Sequence, residues 1–200
     1  MEEKRIKTRE ELRDWLDYEL RRFPKHGRHR IYNLLLLSEN AILRRHQILL
    51  RKTEYHINSG HRLLSKIYRL RLAMYQIKYG MHIPPNVFGR GLVVMHAGQI
   101  HINDRTRAGE NCIIHVNTSL VAGGFNDEVP RIGNGVVFFI GAVVAGDVHI
   151  ADNVVIGANS VVIRSIEEET VTAAGSPAKI VSRKGRLEMR KRNWERTENT

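Results

Sequence analysis

Ile132-Gly133-Asn134-Gly135-Val136-Val137-Phe138-Phe139-Ile140-Gly141-Ala142-Val143-Val144-Ala145-Gly146-Asp147-Val148-His149-Ile150-Ala151-Asp152-Asn153-Val154-Val155-Ile156-Gly157-Ala158-Asn159-Ser160-Val161-Val162 repeats its pattern every six residues. Counting in sixes outward from this stretch gives Ile102, Ala108, Ile114, Leu120, Asn126, Ile132, Phe138, Val144, Ile150, Ile156 and Val162, all apolar except Asn126. Four residues further on lies a second series: Thr106, Cys112, Thr118, Gly124, Pro130, Val136, Ala142, Val148, Val154, Ser160 and Ile166, small or β-branched almost throughout. Helical and strand periodicities do not generate a six. Short strands separated by tight turns and stacked coil upon coil do, which makes the chain mainly β, a parallel β-helix.

The residue types fit that geometry. Each hexad supplies one flat face, and three faces close a coil, with a bulky aliphatic side chain filling the interior and a smaller one at the corner. At roughly 25 cal/mol per Å² of apolar surface removed from water, each interior Ile or Val contributes about 1.5–3 kcal/mol. Gly133-Asn134-Gly135, Gly146-Asp147 and Asp152-Asn153 fall between the apolar positions and tolerate the positive φ of tight corners. The segment Ala122-Gly123-Gly124-Phe125-Asn126-Asp127-Glu128-Val129 breaks the pattern and predicts an excursion from the coil.

At 200 residues the chain accommodates one substantial domain and a smaller element, and its formal charge of +11 is concentrated in the first eighty residues. A lone cysteine excludes an intramolecular disulfide. No stretch reads as a signal peptide or membrane span, so a cytoplasmic setting is expected. The divisions are a helical segment over 1–80, the β-helix over 81–181 and a charged tail over 182–200.

In the helical segment, Thr8-Arg9-Glu10-Glu11 has capping-box spacing, followed by Leu12, Trp15, Leu16 and Leu20 as far as Pro24. Ser38 is placed to cap a second helix carrying Ile42, Leu43, Ile48, Leu49 and Leu50 on its apolar side. A third runs from Arg62 to Lys78 and stops at Gly80, with Leu63, Leu64, Ile67, Leu70 and Met74 expected to face inward. Its basic residues admit two readings, a surface for a polyanion or membrane periphery, or a solvated face of helices packed on the β-helix.

Tyr79-Gly80-Met81-His82-Ile83-Pro84-Pro85, Gly89-Arg90-Gly91-Leu92, His96-Ala97-Gly98, Pro130-Arg131-Ile132-Gly133, Ile156-Gly157-Ala158-Asn159-Ser160 and Ala174-Gly175-Ser176-Pro177-Ala178-Lys179 together resemble the hexapeptide-repeat acyltransferases, specifically serine acetyltransferases and saccharide O-acetyltransferases. The resemblance implies a left-handed coil, a homotrimer, and acetyl transfer from acetyl-CoA to a hydroxyl, with no metal required. It assigns His96 as general base, a task suited to imidazole near neutral pH. It also places main-chain contacts for the pantetheine arm at Gly124, Ala142 and Ala158, and sets Lys179 against the nucleotide phosphates with Arg183 or Lys184 assisting. Met95, His115 and Asp127 fall around the acceptor, and the 122–129 excursion is expected to lean over a neighbouring subunit's site. Cys112 belongs to the interior series and reads as packing.

The departures from the serine-specific pattern are informative. Where that pattern has acidic residues, just before the histidine and on the preceding coil, this chain has Met95 and Met81. Where an Arg-His pair holds the amino acid, it has Glu128-Val129. The carboxylate that orients His96 is therefore missing or comes from elsewhere. A neutral acceptor such as a saccharide is favoured over serine, and a binding module without catalytic activity is the contrasting possibility.

Overall fold

The computed structural model describes residues 5–23, 38–124 and 127–189. Helix α1 spans Arg9–Leu20, with the expected capping box closed between Thr8 and Glu11. Helix α2 spans Glu39–Asn58 and is capped by the Ser38 hydroxyl. Helix α3 spans Arg62–Tyr79 and ends on Gly80 at φ +71°, a left-handed conformation that glycine adopts without strain.

From Met81 onward the chain winds through three parallel sheets in rotation. The predicted hexads form the interior columns. Ile102, Leu120, Val144 and Val162 stack in register on one face. Ala108, Ile132 and Ile150 stack on the second, and Val94, Ile114, Phe138, Ile156 and Ala173 on the third. The small-residue series fills the corners: Thr106, Cys112, Thr118, Val136, Ala142, Val154 and Ser160 have no exposed surface. Burial pushes the Cys112 thiol up to about 12, so it is a packing group and not a nucleophile.

Two irregularities in the repeat position everything that follows. The run from Leu120 to Ile132 is one hexad longer than the equivalent run from Val144 to Ile150, confirming the excursion; Phe125 and Asn126 lie outside the described residues. The corner between Val94 and Ile102 is two residues longer than the corners from Ile114 to Leu120 and from Ile156 to Val162. His96 stands in that widened corner.

The last strand, Ala178–Ser182, turns back antiparallel on Thr172–Gly175, and a short 3-10 turn at Arg186–Glu188 follows. Trp194, Pro24 and the apolar run Leu34-Leu35-Leu36-Leu37 fall outside the described residues. No described helix is long and apolar enough to cross a membrane.

Helix α3 corrects one expectation. Leu63, Leu64, Ile67, Leu70 and Met74 do not face inward; Leu63 is 72% exposed and Met74 63%. The buried side carries Leu72 and Gln76 instead. The reason is hydrogen bonding: Gln76 donates to the Ile83 carbonyl at 2.7 Å and the neighbouring Tyr75 hydroxyl donates to the Ile42 carbonyl at 3.0 Å. A face whose Gln76 satisfies the Ile83 carbonyl wins over a more hydrophobic one that leaves it unpaired, and the Tyr75 bond is added to an Ile42 carbonyl already within α2.

Helix α2 likewise buries polar groups that no periodicity count marks. Arg51 is fully buried among Glu19, Glu54 and the carbonyls of Phe88 and Gly89, with the Trp15 ring beneath it. Glu19 also accepts from Gln47 and from the Gly91 N–H. This hub locks α1 and α2 to the first coil, and one apolar core runs from Leu43, Leu50 and Leu72 into the coil interior.

Next to the hub, His46 is fully buried against Gln76, and its pKa is pushed down to about 4 by burial, with the Arg51 charge adding to the effect. The unfolded chain takes up a proton near pH 6.5, whereas the native fold resists until about 4. His46 therefore withdraws stability as pH falls between those values, by about 3 kcal/mol at the low end. In urea unfolding at pH 7, 5.5 and 4.5, His46→Gln should lose less stability on acidification than the parent. Equal losses would exclude this account.

Candidate active site

His96 follows the strand Val93–Val94 and projects from the widened corner with its side chain 54% exposed. Its Nδ1 lies 3.3 Å from both carboxylate oxygens of Glu39. One of those oxygens, Oε1, also accepts the Ala97 N–H at 3.1 Å. Glu39 is the first residue of α2, where the helix dipole attracts an anionic side chain. Because a carboxylate only accepts, the pairing puts the imidazole hydrogen on Nδ1 and leaves the Nε2 lone pair free to take a proton. At the end of the strand that leads into His96, Arg22 donates to the Val94 carbonyl at 2.6 Å.

Behind His96, the residues leaving one sheet form a column. Met95, His115 and Phe139 occupy successive coils, each N–H donating to the next: Met95 to Ile114, His115 to Phe138, Phe139 to Ile156. The His115 ring stacks on Phe139 at 5.1 Å between centroids and sits 6.2 Å from the His96 ring. The Thr118 hydroxyl donates to the His115 carbonyl at 2.8 Å, securing the corner.

The other candidates are distributed unevenly. Ala158 is exposed on the corner that carries His96, higher up the coil, and Lys179 lies just past the hairpin that replaces this corner in the last coil. Ala142 has a wholly buried side chain, its N–H donates to the Phe139 carbonyl, and its carbonyl accepts the Ser119 N–H. Gly124 and Asp127 sit around a different corner. Gly124 is at φ +81°, and Asp127 is 93% exposed and 3.8 Å from Arg105. One protomer thus brings His96, Met95 and His115 together but not Gly124 or Asp127.

Two grooves of the described residues, about 770 and 630 Å³, run between the helices and the coil, and neither includes His96. Among the described residues the site is an open ridge, with His96 and Glu39 about half exposed. Glu39 is the residue that sequence reasoning missed. A capped helix start at Ser38-Glu39 was visible, but nothing in the spacing links it to a corner 57 residues on.

Residues 130–164 match the family model described as bacterial transferase hexapeptide (six repeats). The repeat is that of the hexapeptide transferases. The chain is 32% identical over 127 residues to a serine acetyltransferase from Synechococcus elongatus, covering 62% of this chain and 49% of that protein. It is 38% identical over 112 residues to the one from Staphylococcus xylosus, covering 54% and 50% respectively. It spans about half the length of these curated relatives. Among solved structures, serine acetyltransferase from Neisseria gonorrhoeae superposes with a TM-score of 0.65 at 25% identity, covering 91% of this chain and 70% of that one. The Brucella abortus enzyme in complex with coenzyme A superposes with a TM-score of 0.58 at 24% identity, over 87% and 67%. This chain therefore shares its fold with these two solved structures.

Proposed function

We propose that this protein transfers an acetyl group from acetyl-CoA to the hydroxyl of a small acceptor. The observation that carries this reading is the His96–Glu39 pair on the hexapeptide coil. His96 Nε2 removes the hydroxyl proton as the oxygen attacks the thioester carbonyl. The C–S bond then breaks, and the departing CoA sulfur takes the proton back from the imidazolium, which restores the neutral histidine. The open ridge fits a site whose second wall comes from another copy, supporting a homotrimer in which Gly124 and Asp127 of one protomer approach His96 of the next. Ala158, above His96 on the same corner, and Lys179, just past the closing hairpin, are suited to the pantetheine arm and the phosphates. A left-handed coil and a cytoplasmic setting complete the proposal.

L-Serine is the first acceptor to consider, because the relatives are serine acetyltransferases. A saccharide is the second, favoured by a specific observation: Met81 is buried in the coil, Met95 packs against the Ile113 and Val137 cluster, and Glu128-Val129 offers no cation for an amino acid carboxylate. The test is CoA thiol release from acetyl-CoA with L-serine and, separately, with simple and nucleotide-linked sugars. Release driven by one class assigns the acceptor, and no release with any of them counts against the proposal.

A further inference from the structure

We propose that Glu39 is the positioning residue for His96: a carboxylate delivered by the start of α2 that fixes the imidazole with Nδ1 protonated and Nε2 facing the acceptor. The proposal rests on the acetyl-transfer reading. It deepens that reading by giving the helical segment a part in the site.

The coil places methionines, not carboxylates, beside the histidine and on the preceding turn. Met81, on the preceding coil, has no exposed surface and belongs to the apolar interior. Met95, beside the histidine, packs with Val93 and Phe139 against Ile113 and Val137 on the outer face of a sheet. Glu39 meets the need from outside the repeat. Its two oxygens are equidistant from Nδ1 at 3.3 Å, and the Ala97 N–H holds Oε1 at 3.1 Å, so the carboxylate is anchored to the backbone of the corner that it serves. The two extra residues of that corner bring His96 out to the level of the helix start. Ser38 caps the helix, and the Arg51 hub fixes α2 against the coil at Phe88 and Gly89. The carboxylate is therefore carried on a rigid element, as precise orientation of a general base requires. When the imidazole takes the acceptor proton, the Glu39 charge lies next to the imidazolium.

Glu39 is half exposed, at 50%, so its replacement leaves the core intact. Glu39→Gln should lower kcat about 10- to 100-fold, with KM for acetyl-CoA little changed, the scale seen when a group that orients a functional histidine is removed. Glu39→Asp should retain more activity than Glu39→Gln. Added formate should restore part of the turnover of Glu39→Ala but none of that of His96→Ala. A loss that formate does not touch, with KM rising in step, would mean that Glu39 only shapes the corner and would overturn the proposal. A readout independent of turnover is the nitrogen-15 spectrum of His96: protonation at Nδ1 in the parent, replaced by a tautomer mixture in Glu39→Gln, supports the proposal. An unchanged spectrum refutes it. If the parent shows this tautomer but transfers acetyl to no acceptor, the acetyl-transfer reading fails while the pairing stands.

Discussion

His96→Ala should reduce CoA release by about 10²- to 10⁴-fold with whichever acceptor the parent uses, the range that a positioned general base contributes. The same variant should melt within about 0.5 kcal/mol of the parent, because the side chain is more than half exposed and its hydrogen-bonded contact is a single surface carboxylate. The two measurements belong together. Activity lost without stability separates a chemical role from a packing one, whereas a well-folded variant with normal turnover would remove His96 from the mechanism. Cys112 provides an internal control: it is fully buried and held protonated, so a thiol reagent applied to the native protein should leave turnover unchanged. Inhibition by such a reagent would point to a nucleophile that the geometry does not provide.

Arg51→Ala should be the most destabilising single substitution in the helical segment, by about 3–5 kcal/mol. Arg51 has no exposed surface and donates to Glu19, Glu54, Phe88 and Gly89. Its removal leaves two buried carboxylates without their cation, and two carbonyls without a donor. Against a total stability of about 5–15 kcal/mol for an ordinary domain, this loss can unfold the protein. Arg51→Lys keeps the charge but replaces a planar fork of donors with a compact ammonium, so it should fall between the parent and the alanine variant. Urea midpoints for the three proteins read the order directly. Similar midpoints for Arg51→Ala and the parent would show that water or rearrangement relieves the hub. The expected loss also bears on activity, since α2 carries Glu39: an Arg51→Lys protein that still folds should show impaired turnover as the helix start shifts.

The interior of the coil was legible because the coil is repetitive. Each of Ile102, Leu120, Val144 and Val162 meets the same environment as the one below it, so a period in the chain becomes a column in space. Corners at Gly135, Gly146 and Asn153 were legible for the same reason: a positive φ is a local demand that a residue meets or fails by itself. The α1 capping box and the Ser38 cap were equally local, with donor and acceptor three residues apart. His96 emerged from motif context, but its partner did not.

What escaped has a common cause. The inward face of α3, the Arg51 hub and the Glu39–His96 pair all depend on groups that meet only after helices dock on the coil. For α3, hydrophobic content pointed to Leu63 and Met74, but the carbonyl of buried Ile83 required a donor, and Gln76 supplied it. Glu19 and Arg51 sit on different helices, and their charges were indistinguishable in sequence from those of any solvated face. Periodicity and capping act over a few residues and are written into neighbouring side chains, so the coil, its excursion and the helix limits were set by the chain alone. Satisfying buried polar groups and placing a carboxylate beside a histidine act through space between distant segments, and docking of the helices on the coil decided them.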